Sequence, residues 1–453
     1  MAAGTALLID HYELTMVEAA VASGVADRRA VFEVFPRRLP AGRRYGVVAG
    51  VDRLVEAVEA LRFGPGELDA LARAGVVGSQ GLERLANYRF RGSIDVYPDG
   101  ELFFPSSPVV TVEASFADAV VLETLVLSVL NHDSAVASAA ARMVCAAEGR
   151  PVIEMGSRRT HEAAAVAAAR AAYLAGFSAT SNLEAGRRYG VPTAGTASHA
   201  FVLAHASERD AFEAQVAAQG KGTTLLVDTY DTRQGIATAV EVAGPELGAI
   251  RIDSGDAAAE ARSARAQLDA LGATGTRIVV SGELDEYGIE ELAPEPIDAY
   301  GVGAKVVAGS GAPSASFVYK LVAIADGPGG DLRPVAKRAP GKANRGGRKV
   351  AWRGLDDHGR ATGELVAVDP PVDWAGPDPR ARPLQVRAMD HGRSCTLPSL
   401  QDARTHLGAA LAELPPLARM IVAGPPALEV TVASAPELAE AALRPRPTPG
   451  GTS

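Results

Sequence analysis

The stretch "VPTAGTASHAF", residues 191–201, places Thr196 and His199 just past a glycine. A hydroxyl beside an imidazole can hold an anion, and the imidazole can act as a base or accept a phosphoryl group. Similar polar ends close other apolar runs. "PVIEMGSRR" ends in Arg158 and Arg159, "GFSATSN" in Ser181 and Asn182, and "TTLLVDTYD" in Asp228, Thr229 and Asp231. "GAIRIDSGD" brings Arg251, Asp253, Ser254 and Asp256, "TRIVVSGE" brings Ser281, Gly282 and Glu283, and "IDAYGVGAK" brings Gly301, Gly303 and Lys305. Arginine grips carboxylate and phosphate with two parallel hydrogen bonds, and glycine lets backbone N–H groups approach an anion. Aspartates among arginines suit a Mg2+ ion that bridges phosphate oxygens.

Taken singly, each residue has a structural reading. "GSRR" fits an ion pair at a helix start, "RIDSGD" a turn with an aspartate cap, and His199 an interior histidine. His161 fits a helix cap, and His132 with Asp133 a helix break. Co-location favours chemistry. The runs start roughly 20–30 residues apart and alternate with helical stretches, the length of a βα unit. One such helix covers 162–175 and closes at Gly176, and another begins at Ser207 with Asp210 placed like a capping box. In a βα barrel the carboxyl ends of the strands share one face, where active sites lie. An eighth run, "SFVYKLVAIA", brings the count to that of a closed parallel α/β barrel, with a doubly wound open sheet as the alternative.

The flanking segments form the rest of the frame. Residues 1–128 read as an N-terminal α+β domain, with a helix over "HYELTMVEAAVAS" and strands over "AVFEVFPRRLP", "RYGVVAG" and "VVTVEAS". A long apolar helix follows "VVTVEAS", with a break expected at 131–133. The barrel is expected over 129–325. Residues 326–453 read as a strand-and-helix segment packing on the N-terminal part, with a helix near 399–412. A basic loop occupies 339–349, and a disordered tail is expected over 444–453.

The chain has 453 residues, 47% hydrophobic content and a net charge of -9. That is ample for a large core, and the acidic balance argues against nucleic acid as a partner. Cys145 and Cys395 are too few for a disulfide framework or a thiolate metal site. The N-terminus lacks a signal-peptide pattern, and no run reads as apolar enough to span a bilayer, so a cytoplasmic protein without membrane contact is expected.

The segments "HYELTM", "FEVFPRRLP", "YGVVAG", "EMGSRRTH", "TSNLEAG", "GTASHAF", "LLVDTYDT", "RIDSGD", "VVSGELDE", "YGVGAK" and "VYKLV" stand in an order and spacing that resembles nicotinate phosphoribosyltransferases, from about residue 7 to about 325. The resemblance implies an irregular type II phosphoribosyltransferase barrel with an α+β layer from both chain ends. It implies joining of nicotinate to 5-phosphoribosyl 1-pyrophosphate, with ATP hydrolysis coupled through a phosphohistidine at His199, Mg2+ as cofactor, and a homodimer with shared sites. By position, Tyr12 would stack on the pyridine ring, with Thr196 and Arg251 beside nicotinate. Asn182, where nicotinamide enzymes carry an acid, would favour a carboxylate over a carboxamide. Asp228 and Asp253 would bind ribose or the Mg2+–pyrophosphate. Arg158, Arg159, Ser254, Gly282, Gly301, Gly303, Ala304 and Lys305 complete the expected phosphoribosyl pyrophosphate site. Two positions depart from the pattern: Ile9 replaces a threonine, and Ala304 replaces a threonine that binds the 5-phosphate. The alternatives are a nicotinamide or quinolinate phosphoribosyltransferase, or a non-catalytic metabolite-binding barrel that has lost those hydroxyls.

Overall fold

The computed structural model describes residues 6–327, 329–337, 344–371 and 374–443. The expected tail and residues 339–343 of the basic loop lie outside the described residues. Two compact units emerge. One holds residues 135–313 and 419–422, and the other is built from the segments on either side of it.

The first unit is a parallel sheet backed by helices. Its strands run in the order Ala179–Thr180, Val152–Glu154, Ala299–Val302, Arg277–Gly282, Ala249–Ile252 and Thr224–Leu226. All neighbours are parallel, and the sheet curls into a half-barrel. Side chains alternate across each strand. Ile250, Ile252, Tyr300 and Val302 are fully buried on one face, whereas Ile153, Ala179, Arg251 and Ala299 on the other are half-buried. Glycine allows close approach of helix to strand. A Cβ on Gly235, in the helix Thr232–Ala243, would lie 2.2 Å from the Val227 carbonyl oxygen.

The expected eight strands are corrected here. Residues 191–196 contribute only one bridge, Thr193 to Thr180, in a stretch where Pro192 has no N–H to give a ladder. The eighth run, Phe317–Ala325, leaves the parallel sheet and pairs antiparallel with Arg29–Pro36 in the other unit's seven-stranded sheet. At nine residues it is longer than any strand of the half-barrel.

That other unit also holds a four-stranded sheet and the helix His11–Ser23, which ends at Gly24 with φ 73°. The apolar helix breaks between Phe116–Val120 and Glu123–Ala146, not at 131–133. The polar residues there find partners, so the helix continues. Asn131 Oδ1 accepts from the Phe317 N–H at 2.8 Å, and Asp133 pairs with Arg53 at 2.6 Å. The stretch Phe116–Ala146 is also long and apolar enough to cross a membrane by length and composition, contrary to the sequence expectation, and 61% of its apolar 18-residue window is buried in the protein.

Burial pushes the Glu13 carboxyl up to about 7, against hydrogen bonds from the Thr124 hydroxyl and N–H. Its unfolded pKa is lower, so the folded chain keeps a proton that the unfolded chain has lost. That stabilisation is complete below the ordinary carboxylate value and is lost as pH rises through about 7. Glu13→Gln is therefore expected to raise Tm by roughly 2 °C or more at pH 8 and far less at pH 5. Equal shifts at both pH values in thermal scans would refute the linkage.

Candidate active site

The concave face of the half-barrel carries one connected polar network. Arg251, on the strand Ala249–Ile252, donates from Nε to Ser281 Oγ at 2.7 Å, from Nη1 to Thr196 Oγ1 at 3.1 Å and from Nη2 to Asp253 Oδ1 at 2.7 Å. The Ser281 hydroxyl donates to the same Asp253 oxygen. Burial alone would raise the Asp253 carboxyl. The hydrogen bonds from Ser281 and Arg251, with the charge of Arg251, outweigh burial and hold it below the usual carboxylate range. The strand fixes this fork because Arg251 and Ser281 project from neighbouring parallel strands, with Val279 directly opposite Arg251.

Asp228 is the second hub. Its side chain is 1% exposed. Oδ2 accepts from the Asp253 N–H at 2.8 Å and from Ser254 Oγ at 2.7 Å. Oδ1 is buried without a hydrogen-bond partner and lies 3.9 Å from His199 Nε2. His199 opens the short helix His199–Leu203, and its Nδ1 is 3.1 Å from Thr229 Oγ1. Its side chain is 41% exposed, so it can meet a ligand from solution. A third carboxyl, Glu208, is pushed up to about 7 by burial and by the charges of Asp231 and Asp228.

Glycines shape the neighbouring strand end. A Cβ on Gly301 would lie 2.8 Å from Met155 Sδ and 2.9 Å from Ser281 Cβ, so only glycine fits there. Gly282 adopts φ 148° and Gly303 precedes the short helix Ala304–Val307. Lys305 Nζ lies 3.6 Å from Asp285 Oδ2. Arg158 and Arg159 are exposed on the loop after Val152–Glu154.

The structure thus joins His199, Thr196, Arg251, Asp228, Asp253 and Ser254 in one network. It gives Asn182 a different local role: Oδ1 caps its helix by accepting from the Ala185 N–H at 2.9 Å, and Nδ2 donates to Ser157 at 3.0 Å. Tyr12 belongs to the other unit, is 45% exposed, and has its hydroxyl pKa raised by burial, by the charge of Glu123 and by the hydrogen bond it donates to that carboxylate. Sequence reasoning passed over Glu208, Glu154 and Ser157. Nothing in composition marked them, although Ser157 stood inside the quoted "GSRR".

Among the described residues no group of three His, Cys, Asp or Glu could hold a metal ion. The donor set instead suits Mg2+ held largely by substrate oxygens, with Asp228 Oδ1 as a free buried ligand atom and Asp253 beside it.

Comparison with known proteins identifies relatives over the whole chain. A model of the nicotinate phosphoribosyltransferase N-terminal domain matches residues 7–131, and a model of the quinolinate phosphoribosyl transferase C-terminal domain matches 136–310. A Mycobacterium tuberculosis nicotinate phosphoribosyltransferase is 56% identical over 432 residues, covering 93% of this chain and 94% of the relative. The human nicotinate phosphoribosyltransferase is 30% identical, covering 92% of each. The crystal structure of human nicotinic acid phosphoribosyltransferase superposes with a TM-score of 0.79 at 26% identity, covering 94% of this chain and 97% of that one. A Pyrococcus furiosus nicotinate-nucleotide pyrophosphorylase, at TM-score 0.74 and 24% identity over 90% of this chain and 96% of that one, shares the fold. With the whole-chain likeness spanning both units, the chain belongs to the nicotinate phosphoribosyltransferase family.

Proposed function

We propose that this chain joins nicotinate to 5-phosphoribosyl 1-pyrophosphate, giving nicotinate mononucleotide and pyrophosphate, with ATP hydrolysis coupled through phosphorylation of His199. This is the step by which nicotinate joins NAD salvage. The observation that carries the reading is the Arg251 fork, fixed by Ser281, Thr196 and Asp253 on the concave face of a chain so similar to enzymes of that name.

In the reaction the bond from the ribose C1′ to the pyrophosphate oxygen breaks, and a bond from the pyridine nitrogen to C1′ forms. Positive charge develops on the sugar and negative charge on the leaving group. Arg251 holds the nicotinate carboxylate together with Thr196. Asp253 and Asp228 would hold the ribose and the Mg2+–pyrophosphate, and the ion would supply positive charge for the leaving group. Gly282 and Gly301, each paired within the sheet, leave room for the 5-phosphate, which the backbone N–H groups of Gly303 and Ala304, with Lys305, receive. Arg158, Arg159 and Ser254 hold the pyrophosphate end. The pyridine nitrogen is already nucleophilic, so no strong base is needed. Tyr12 of the partner subunit in a homodimer would cover the ring.

Purified protein with Mg2+ and phosphoribosyl pyrophosphate is to be given nicotinate, nicotinamide or quinolinate in turn, with and without ATP. Nicotinate mononucleotide, formed faster with ATP, is the expected product. Product from quinolinate alone, or from no base, would sink the proposal. Asn182→Asp keeps the helix cap but removes the donor to Ser157 and adds a charge. It is expected to lower the preference for nicotinate over nicotinamide about tenfold, and an unchanged ratio of kcat/KM values would remove Asn182 from selectivity.

A further inference from the structure

Glu154, at the end of its strand, is 1% exposed. Its Oε1 accepts from the Gly156 N–H, and its Oε2 accepts from the Thr180 hydroxyl at 2.5 Å. Thr180 Oγ1 accepts in turn from the Asn182 N–H at 2.9 Å, and Asn182 Nδ2 donates to Ser157 Oγ at 3.0 Å. Ser157 follows Gly156 in the chain, so the circuit closes. It ties the loop carrying Arg158 and Arg159 to the loop carrying Asn182. The Asn182 carboxamide cannot turn away, because its oxygen caps a helix through the Ala185 N–H. Ser157 therefore accepts one hydrogen bond in a fixed direction, while its own hydroxyl hydrogen has no acceptor among the described residues. Ser157 is half-buried and precedes two exposed arginines. Accepting from the Asn182 side-chain amide strengthens the Ser157 hydroxyl as a donor, and the arginines draw an anionic oxygen to that place.

We propose that Ser157 donates a hydrogen bond to an anionic oxygen of the substrates, either of the pyrophosphate group or of the nicotinate carboxylate, and that Thr180 is a positioning residue that aims it through Asn182. The inference rests on the functional reading above for the identity of the anion.

Ser157→Ala, Thr180→Val and Thr180→Ser are to be compared with the unchanged protein by titration with inorganic pyrophosphate, by KM and kcat for each substrate, and by Tm. Ser157→Ala is expected to weaken pyrophosphate binding or to raise the nicotinate KM about tenfold or more, with kcat within about threefold. The first result assigns the donor to pyrophosphate and the second to the carboxylate. Thr180→Val is expected to follow in the same direction, with Thr180→Ser restoring the original values. Unchanged pyrophosphate affinity and unchanged KM values in Ser157→Ala would overturn the proposal. A Thr180→Val protein that loses Tm but keeps its KM values would overturn the positioning role. Failure of the unchanged protein to form nicotinate mononucleotide would instead remove the functional reading, and the pyrophosphate titration would still decide the role of Ser157.

Discussion

Arg251→Met should lower kcat/KM for nicotinate by about a hundred- to a thousandfold, with most of the loss in nicotinate KM. The guanidinium makes three hydrogen bonds with fixed geometry, to Ser281, Thr196 and Asp253. It is the group best placed to take a carboxylate, since a planar fork binds two oxygens at once. Methionine keeps the length and the apolar stem but removes every donor. The substitution also leaves Asp253 without its cation. The carboxyl that Ser281 and Arg251 now hold below the usual range would rise, and its charge would repel an incoming carboxylate. Arg251→Lys separates these two effects. It keeps the charge beside Asp253 but cannot fork, so it should recover part of the loss and no more. Steady-state kinetics with both variants decides the matter. Full activity in Arg251→Met would place nicotinate elsewhere on the concave face.

The same strand ends show how far sequence alone reached. Arg251, Asp253, Ser254 and Asp228 were legible because their runs are short, apolar and followed by helices, which puts their ends on one face. The structure brings those four into one network. Asp231 and Asp256 had the same signal but a local use. Asp231 caps its helix by accepting from the Gln234 N–H at 2.7 Å, and Asp256 accepts from the N–H groups of Ala258 and Ala259. An aspartate between strand and helix satisfies either reading, and only geometry separates them. The strand count failed for a different reason. Phe317–Ala325 is apolar like the barrel strands, yet its pairing with Arg29–Pro36 is antiparallel and joins residues nearly three hundred positions apart. Sequence periodicity describes one strand's two faces and says nothing of its partner. Helix continuity through 131–133 was hidden likewise, because the partners of Asn131 and Asp133 come from distant segments. Glu154 escaped notice since a carboxylate at the end of a short strand carries no pattern until its donors, Gly156 and Thr180, are seen.

His199→Ala is expected to reduce transfer of the γ-phosphoryl group of ATP to the protein to background, and to erase the gain in kcat/KM expected from ATP. Formation of nicotinate mononucleotide without ATP should continue. The separation follows from position. His199 touches Thr229 at 3.1 Å and faces Asp228 at 3.9 Å, whereas the Arg251 fork proposed to hold nicotinate bonds Ser281, Thr196 and Asp253. A neutral imidazole has one N–H and one lone pair, and the side of the ring that meets Thr229 decides which nitrogen is free. Thr229→Val should therefore slow labelling without abolishing it, and Thr229→Ser should label as the unchanged protein does. A phosphoryl group on His199 would stand beside Asp228, whose outward oxygen is buried and unpartnered. That added charge bears on the same carboxylate that steadies Asp253 through its N–H, which gives the modified histidine a direct route to the substrate-binding network. Labelling by ATP that persists in His199→Ala would put the acceptor on another residue and detach ATP coupling from this network, while leaving the glycosyl-transfer reading to stand on Arg251.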